Sequence, residues 1–199
     1  MRRHVRGFTL LELIVVIAII GILSVIIIPS FKTALARSRD AQRKLDILNI
    51  QKMMDDYALS DKPLPSGSYP HPSMYGRQNI SPGFWDGYWD LSSSTSTVPF
   101  MKFLVDAGIA SKVPVDPLST SNYSNGYPYD PGYRYWYRPY IVYWDTNTSS
   151  YIYIPGYMIG IAKFENSTDN VLTFVGCPSQ INANGAYNNL IYVVCGRLR

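Results

Sequence analysis

Histidine is almost missing from this chain of 199 residues: there are two, His4 and His71. Cysteine is as scarce, with Cys177 and Cys195 alone. These shortages exclude a multi-histidine zinc site, a C-x-x-C pair and an H-E-x-x-H helix, and no phosphate-binding Gly loop or EF-hand run occurs either. A Ser–His–Asp site in the body of the chain would have to be built on His71, and no nucleophile-elbow sequence accompanies it. No catalytic residue, cofactor or metal ligand is therefore expected. Charge of one sign is lacking too. The formal net charge is +4, but Arg2, Arg3 and Arg6 fall in the first seven residues; without them 15 basic side chains face 14 acidic ones. A body so near neutrality carries no electrostatic argument for nucleic acid.

What is plentiful is tyrosine, with 17 residues, and glycine and proline, with 14 each. That mix suits strands joined by polar loops better than a helical bundle. Four runs are rich in aromatic and β-branched residues: 133–144, 150–164, 170–177 and 189–195. Pro139 and Pro155 mark edges or bulges within the first two. A meander of about four antiparallel strands is expected, one face of which needs cover. Ahead of it, Phe100, Phe103, Leu104 and Ala107 share a face of a short helix that ends near Gly108. The tract YRYWYRPYIVYW interleaves Arg134 and Arg138 with aromatics, a pattern that can stack on single-stranded nucleic acid. Aromatics at strand spacing under arginine stems are more simply sheet packing, so nucleic acid is not expected as a partner. Three N-x-S/T tripeptides begin at Asn122, Asn147 and Asn166, a weak pattern taken alone.

The N-terminus is built differently. A basic heptapeptide, MRRHVRG, precedes an almost unbroken apolar run from Phe8 to Ile28 whose one acid is Glu12. As a helix this run is about 30 Å long, enough to span a bilayer. After Pro29 no glycine or proline occurs until Pro63, and Ile47, Ile50, Met54 and Tyr57 recur at helical spacing. Arg37, Arg39, Arg43, Lys44 and Lys52 are placed on the opposite surface. One helix from about Phe8 to about Leu59 is expected, apolar all round in its first half and amphipathic in its second, the second half covering the sheet.

Three readings of this N-terminus compete. A secretory signal peptide fits the basic start and the small residues Ala34–Ala36, but the apolar core is too long and Lys32 intervenes. A plain uncleaved anchor fits the span, but basic residues on both sides leave its orientation open. Neither accounts for Glu12, since a carboxylate within a membrane segment costs a few kcal/mol on insertion scales (about 3 at the centre) and so marks function. In an exported chain Cys177 and Cys195 read as a disulfide, which would add about 3 kcal/mol in the chain-entropy model. In a reducing compartment the same pair would be two buried thiols.

The third reading rests on the whole string RGFTLLELIVVIAIIGIL, which resembles the class III leader of type IV pilins and type II secretion pseudopilins. The resemblance implies cleavage after Gly7 by a prepilin peptidase and N-methylation of the new first residue, Phe8. It implies that Glu12 of one subunit neutralises the Phe8 amine of a neighbour in an apolar filament core, fixing register, because breaking the match leaves a buried charge unpaired. Gly21 and Pro29 fall where helices of this family loosen. Beyond residue 60 the likeness is thinner: FLVDAGIASKVPVDPLSTSN resembles the short helix and V-P-x-D-P turn of major pseudopilins, with Val113, Pro114, Asp116 and Pro117 in the turn. The chain ends in the Cys177–Cys195 pair, more like type IV pilins, where major pseudopilins have a calcium loop.

The implied architecture is α+β and pilin-like: a leader 1–7, a transmembrane and assembly half 8–29, an amphipathic half 30–59 and a head 60–199. The implied function is a structural subunit of a type IV pilus-like filament, or else of a secretion pseudopilus. The implied partners are other copies of the chain, the prepilin peptidase, a membrane platform with its assembly ATPase, and the lipid bilayer before assembly. The head would lie outside the cytoplasmic membrane and then on a cell-surface filament. From another class, the rival is a monomeric anchored or secreted binding domain using its tyrosine-rich face.

Overall fold

The structure is a computed structural model that describes residues 9–60, 62, 69–75, 90–92, 98–119, 133–145, 147–165, 172–183 and 191–197. A single helix, α1, runs Leu10–Leu59. The chain falls into two compact units, 1–38 and 39–199. Among the described residues, the first holds α1 as far as Ser38. The second contains α1 from Arg39 onward, a short helix α2 (Lys102–Asp106), and strands β1 (Asp90–Leu91), β2 (Tyr135–Asp145), β3 (Ser150–Ile161), β4 (Thr173–Val175) and β5 (Tyr192–Arg197). The strands form one sheet in the order β1-β2-β3-β5-β4.

Side-chain alternation along the strands decides which residues meet the helix. Tyr135 and Tyr137 on β2, Tyr157, Ile159 and Ile161 on β3, and Val194 on β5 share one core with Ile47, Ile50, Met54 and Tyr57 of α1. Phe100, Met101, Phe103 and Leu104, in and just before α2, close that core. Tyr57 and Phe103 meet edge to face with ring centroids 5.1 Å apart, and Tyr69 and Tyr157 do the same at 5.0 Å. The alternate residues Trp136, Met158, Val193 and Cys195 pack on the other face with Leu91 and Ile181. The sheet is thus covered on both sides. Ile181 comes from a 3-10 turn, Ser179–Ala183.

Two glycines set the sheet's shape. The β2–β3 register slips between Arg138 and Tyr140, where Pro139 faces two residues of β3, Gly156 and Tyr157. Gly156 has φ +151°, a backbone that L residues rarely adopt, and a Cβ there would lie 2.4 Å from the Gly196 carbonyl oxygen. At Gly160 a Cβ would fall 2.6 Å from Trp136 Cζ2, so the missing side chain lets the indole lie across β3.

The sheet differs from the sequence expectation of about four antiparallel strands. It has five, and β4 runs parallel to β5, pairing Thr173 with Tyr192 and Val175 with Val194. A parallel neighbour needs a crossover rather than a hairpin, and the intervening chain includes the 3-10 turn on the second face. The added strand, β1, is two residues long, too short to show any periodicity; the Asp90 carboxylate helps to fix it by accepting the Met101 amide at 2.8 Å. The strand runs at 133–144 and 150–164 correspond to β2 and β3.

Candidate functional site

Among the described residues, the first stretch of α1 buries very little. From Leu10 to Val25 the large aliphatic side chains are exposed, Leu10 by 76% and Val25 by 74%. Neither of the described stretches of α1, Leu10–Val25 or Ser30–Leu59, passes by itself as a membrane span; the two pass together, by length and composition. Gly7 and Phe8 lie outside the described residues.

Glu12 sits in the first turn of α1 and is tied to Thr9 reciprocally. The Thr9 amide donates to Glu12 Oε2 at 2.8 Å, and the Thr9 hydroxyl donates to the same oxygen at 3.0 Å. The Glu12 amide in turn donates to Thr9 Oγ1 at 3.2 Å. This is a capping box, which satisfies amides that the helix leaves without carbonyl partners. Its sequence signature, T-L-L-E, is local, with Thr9 standing three residues before the acid. Beyond its chain neighbours and its own helix backbone, nothing lies within 4 Å of where a Cβ on Gly21 would stand. The Ser24 hydroxyl donates back to the Ile20 carbonyl at 2.7 Å, a bond that satisfies the hydroxyl within the helix.

The head unit holds α1 through a cluster of charges centred on Arg43. Its side chain is fully buried, which overturns its placement on the outer surface of the helix. The guanidinium donates to both oxygens of Asp116 (2.8 and 3.1 Å), to Asp40 at 2.6 Å and to Glu165 at 3.0 Å. It also lies 4.7 Å from the centroid of the Tyr133 ring. Arg39 makes a two-bond pair with Glu165. The Glu165 carboxyl is held below its ordinary value, chiefly by the hydrogen bond from Arg39 and then by Arg43, against the opposing effect of burial. Close by, the buried hydroxyl of Tyr135 donates to Asp46 at 2.7 Å. Asp116 belongs to the V-P-x-D-P turn, whose own residues name no partner for it. The signal for such a partner is a basic residue placed on the apolar face of α1, between Asp40 and Ile47.

Cys177 and Cys195 are joined in a disulfide. It links the chain just after β4 to β5, and Cys195 packs against Trp136 and Ile181 on the second face. Among the described residues no group of three or more His, Cys, Asp or Glu side chains is arranged to hold a metal ion.

The chain matches the prokaryotic N-terminal methylation motif over residues 2–28. With this motif at the head of a long helix that leads into a helix-backed sheet, the chain is pilin-like and α+β in fold. It is 52% identical over 42 residues to a protein described as type IV major pilin protein PilA of Myxococcus xanthus, an alignment covering 21% of this chain and 19% of that one. To a type II secretion system core protein G of Dickeya chrysanthemi it is 33% identical over 66 residues, 33% of this chain and 43% of the relative. To a fimbrial protein of Pseudomonas aeruginosa it is 33% identical over 70 residues, 35% and 46% of the two chains. The chain thus spans less than half the length of the curated relatives it matches. No solved structure matches it.

Proposed function

We propose that the chain is a structural, non-enzymatic subunit of a type IV pilus-like filament. In this reading prepilin peptidase cuts after Gly7 and methylates Phe8. The helix from Phe8 to Pro29 holds the subunit in the cytoplasmic membrane with its head outside, and filament assembly then replaces lipid by neighbouring copies. The observation that carries the reading is the exposed aliphatic surface from Leu10 to Val25 that starts on a single carboxylate, Glu12, inside a methylation motif. A surface so apolar needs either lipid or other copies around it. Glu12 would serve twice: in the free subunit it caps α1 through Thr9, and in the filament it answers the Phe8 amine of the next copy. Gly21 and Pro29 weaken the helix where such a change of surroundings could loosen it.

The fimbrial and pilin relatives, together with a head closed by Cys177–Cys195, favour a pilus. The similarity to a type II secretion core protein supports a secretion pseudopilus as the second reading. Assembly would draw on a membrane platform and an ATPase supplied by other chains.

Electron microscopy of cells carrying Glu12→Ala tests this. Processed subunits that remain in the membrane without filaments are expected. Filaments in normal number, or no filaments in the unaltered strain under any condition, would contradict the reading.

A further inference from the structure

The hairpin formed by β2 and β3 extends past the rest of the sheet. β1 pairs with β2 only at Trp136 and Tyr137, and β5 pairs with β3 only from Gly156 to Ile161. Among the described residues, 140–145 and 150–155 therefore pair with each other alone, as a two-stranded ribbon. At its tip are Asn147, Thr148 and Ser149, all exposed and all in the turn. They spell N-x-S with no proline in the middle, the tripeptide whose asparagine accepts a glycan in exported proteins.

We propose that Asn147 is a modification site: the acceptor of an N-linked oligosaccharide, donated by a lipid-diphosphate-linked sugar in the compartment where the head resides. Three features of the tip favour this. The turn is built without the asparagine side chain: the Asp145 carboxylate accepts the Asn147 backbone amide at 2.9 Å and the Thr148 hydroxyl at 3.0 Å. Ser149 occupies the left-handed region at φ +49°, which reverses the chain and leaves the acceptor at an exposed bend. A transferase can grip a ribbon tip without opening the core, since no core residue comes from 145–151. The sites at Asn122 and Asn166 lie outside the described residues.

In the transfer the Asn147 side-chain nitrogen bonds to the anomeric carbon of the sugar, and the bond from that carbon to diphosphate breaks. The lipid diphosphate leaves, and the amide gives one proton to a base of the transferase. Nothing is oxidised or reduced. Exposed Tyr151 and Tyr153 lie on the same ribbon and offer ring faces on which the first sugars could rest.

The test is peptide mass spectrometry of the protein purified from the membranes and surface of the cells that make it. The fragment between Arg134 and Lys163 is expected to carry mass increments of sugar residues. These should be lost in Asn147→Gln and in Ser149→Ala, which removes the hydroxyl of the tripeptide, and kept in Ser150→Ala. An unmodified fragment overturns the proposal. So does a modification that survives Asn147→Gln, as one on a neighbouring hydroxyl would. The site depends on export of the head and not on polymerisation, so filament counts from the same cells separate its failure from that of the filament reading.

Discussion

Arg43 and Asp116, 73 positions apart in the chain, meet in a pair from which water is excluded: neither side chain has any exposed surface, and Nε donates to Oδ2 at 2.8 Å while Nη2 donates to Oδ1 at 3.1 Å. Asp40 and Glu165 complete the guanidinium's set of acceptors. The cluster joins α1 to the turn at 113–117 and to the chain just beyond β3. It fixes the helix by charge at one end, while Ile47, Ile50, Met54 and Tyr57 fix it by packing further on.

Removing one partner from such a pair leaves the other buried and uncompensated. Asp116→Ala is expected to cost about 3–5 kcal/mol of stability, measured by denaturant unfolding of the detergent-solubilised chain. Lys52→Ala, at an exposed position on the same helix, should change it by less than about 0.5 kcal/mol. Equal effects of the two substitutions would mean that the cluster does not hold the helix.

Acid should weaken the head through Glu165. Its folded-state pKa lies below that of the unfolded chain, so its contribution is fully present above the unfolded value, about 4.3, and is lost as pH falls through the folded value. A pH series of unfolding midpoints should show that loss, and Glu165→Gln should flatten it at a cost already present at neutral pH. An unchanged acid limb in the variant would exclude Glu165 as its source.

Much of the fold could be read from the chain because its signals are local. The apolar run, the helical spacing of Ile47 to Tyr57 and the aromatic runs of β2 and β3 each announce an element by its own residues. The arrangement of β4 was not legible: Thr173–Val175 has the composition of any strand, and its parallel direction follows from the route the chain takes through the 3-10 turn. Arg43 was misread for a similar reason. Beside Arg39 and Lys44 it looks like part of a solvated face, and Asp116 and Glu165, brought in from distant segments, join the neighbouring Asp40 in making its burial tolerable. At the helix start the reverse holds, since Thr9 and Glu12 are three residues apart and their pairing is a local pattern.

Alkali should act on the tyrosine-rich core. Tyr57, Tyr69, Tyr135, Tyr137 and Tyr157 all have raised pKa values, burial being the largest cause in each, and Tyr69 is pushed up to about 12 with Asp55 adding to the effect. Stability is therefore undiminished below the unfolded tyrosine value of about 10 and falls as pH rises from there toward the folded values. Each such tyrosine contributes a fall of about 1.4 kcal/mol per pH unit. Tyr69→Phe should shallow the alkaline limb with little loss at neutral pH, because its hydroxyl has no hydrogen-bond partner among the described residues. A variant that unfolds at the same alkaline pH as the parent would contradict this.

In the proposed function, a leader is removed at Gly7 and the new N-terminus enters filament assembly. Intact mass with N-terminal sequencing of the protein from cell membranes reads that step. A chain that begins at Phe8 and is heavier by one methyl group than its residues alone is the expected result. A chain that keeps Met1, or one that begins after Ala36, would contradict it and leave an anchored or secreted domain.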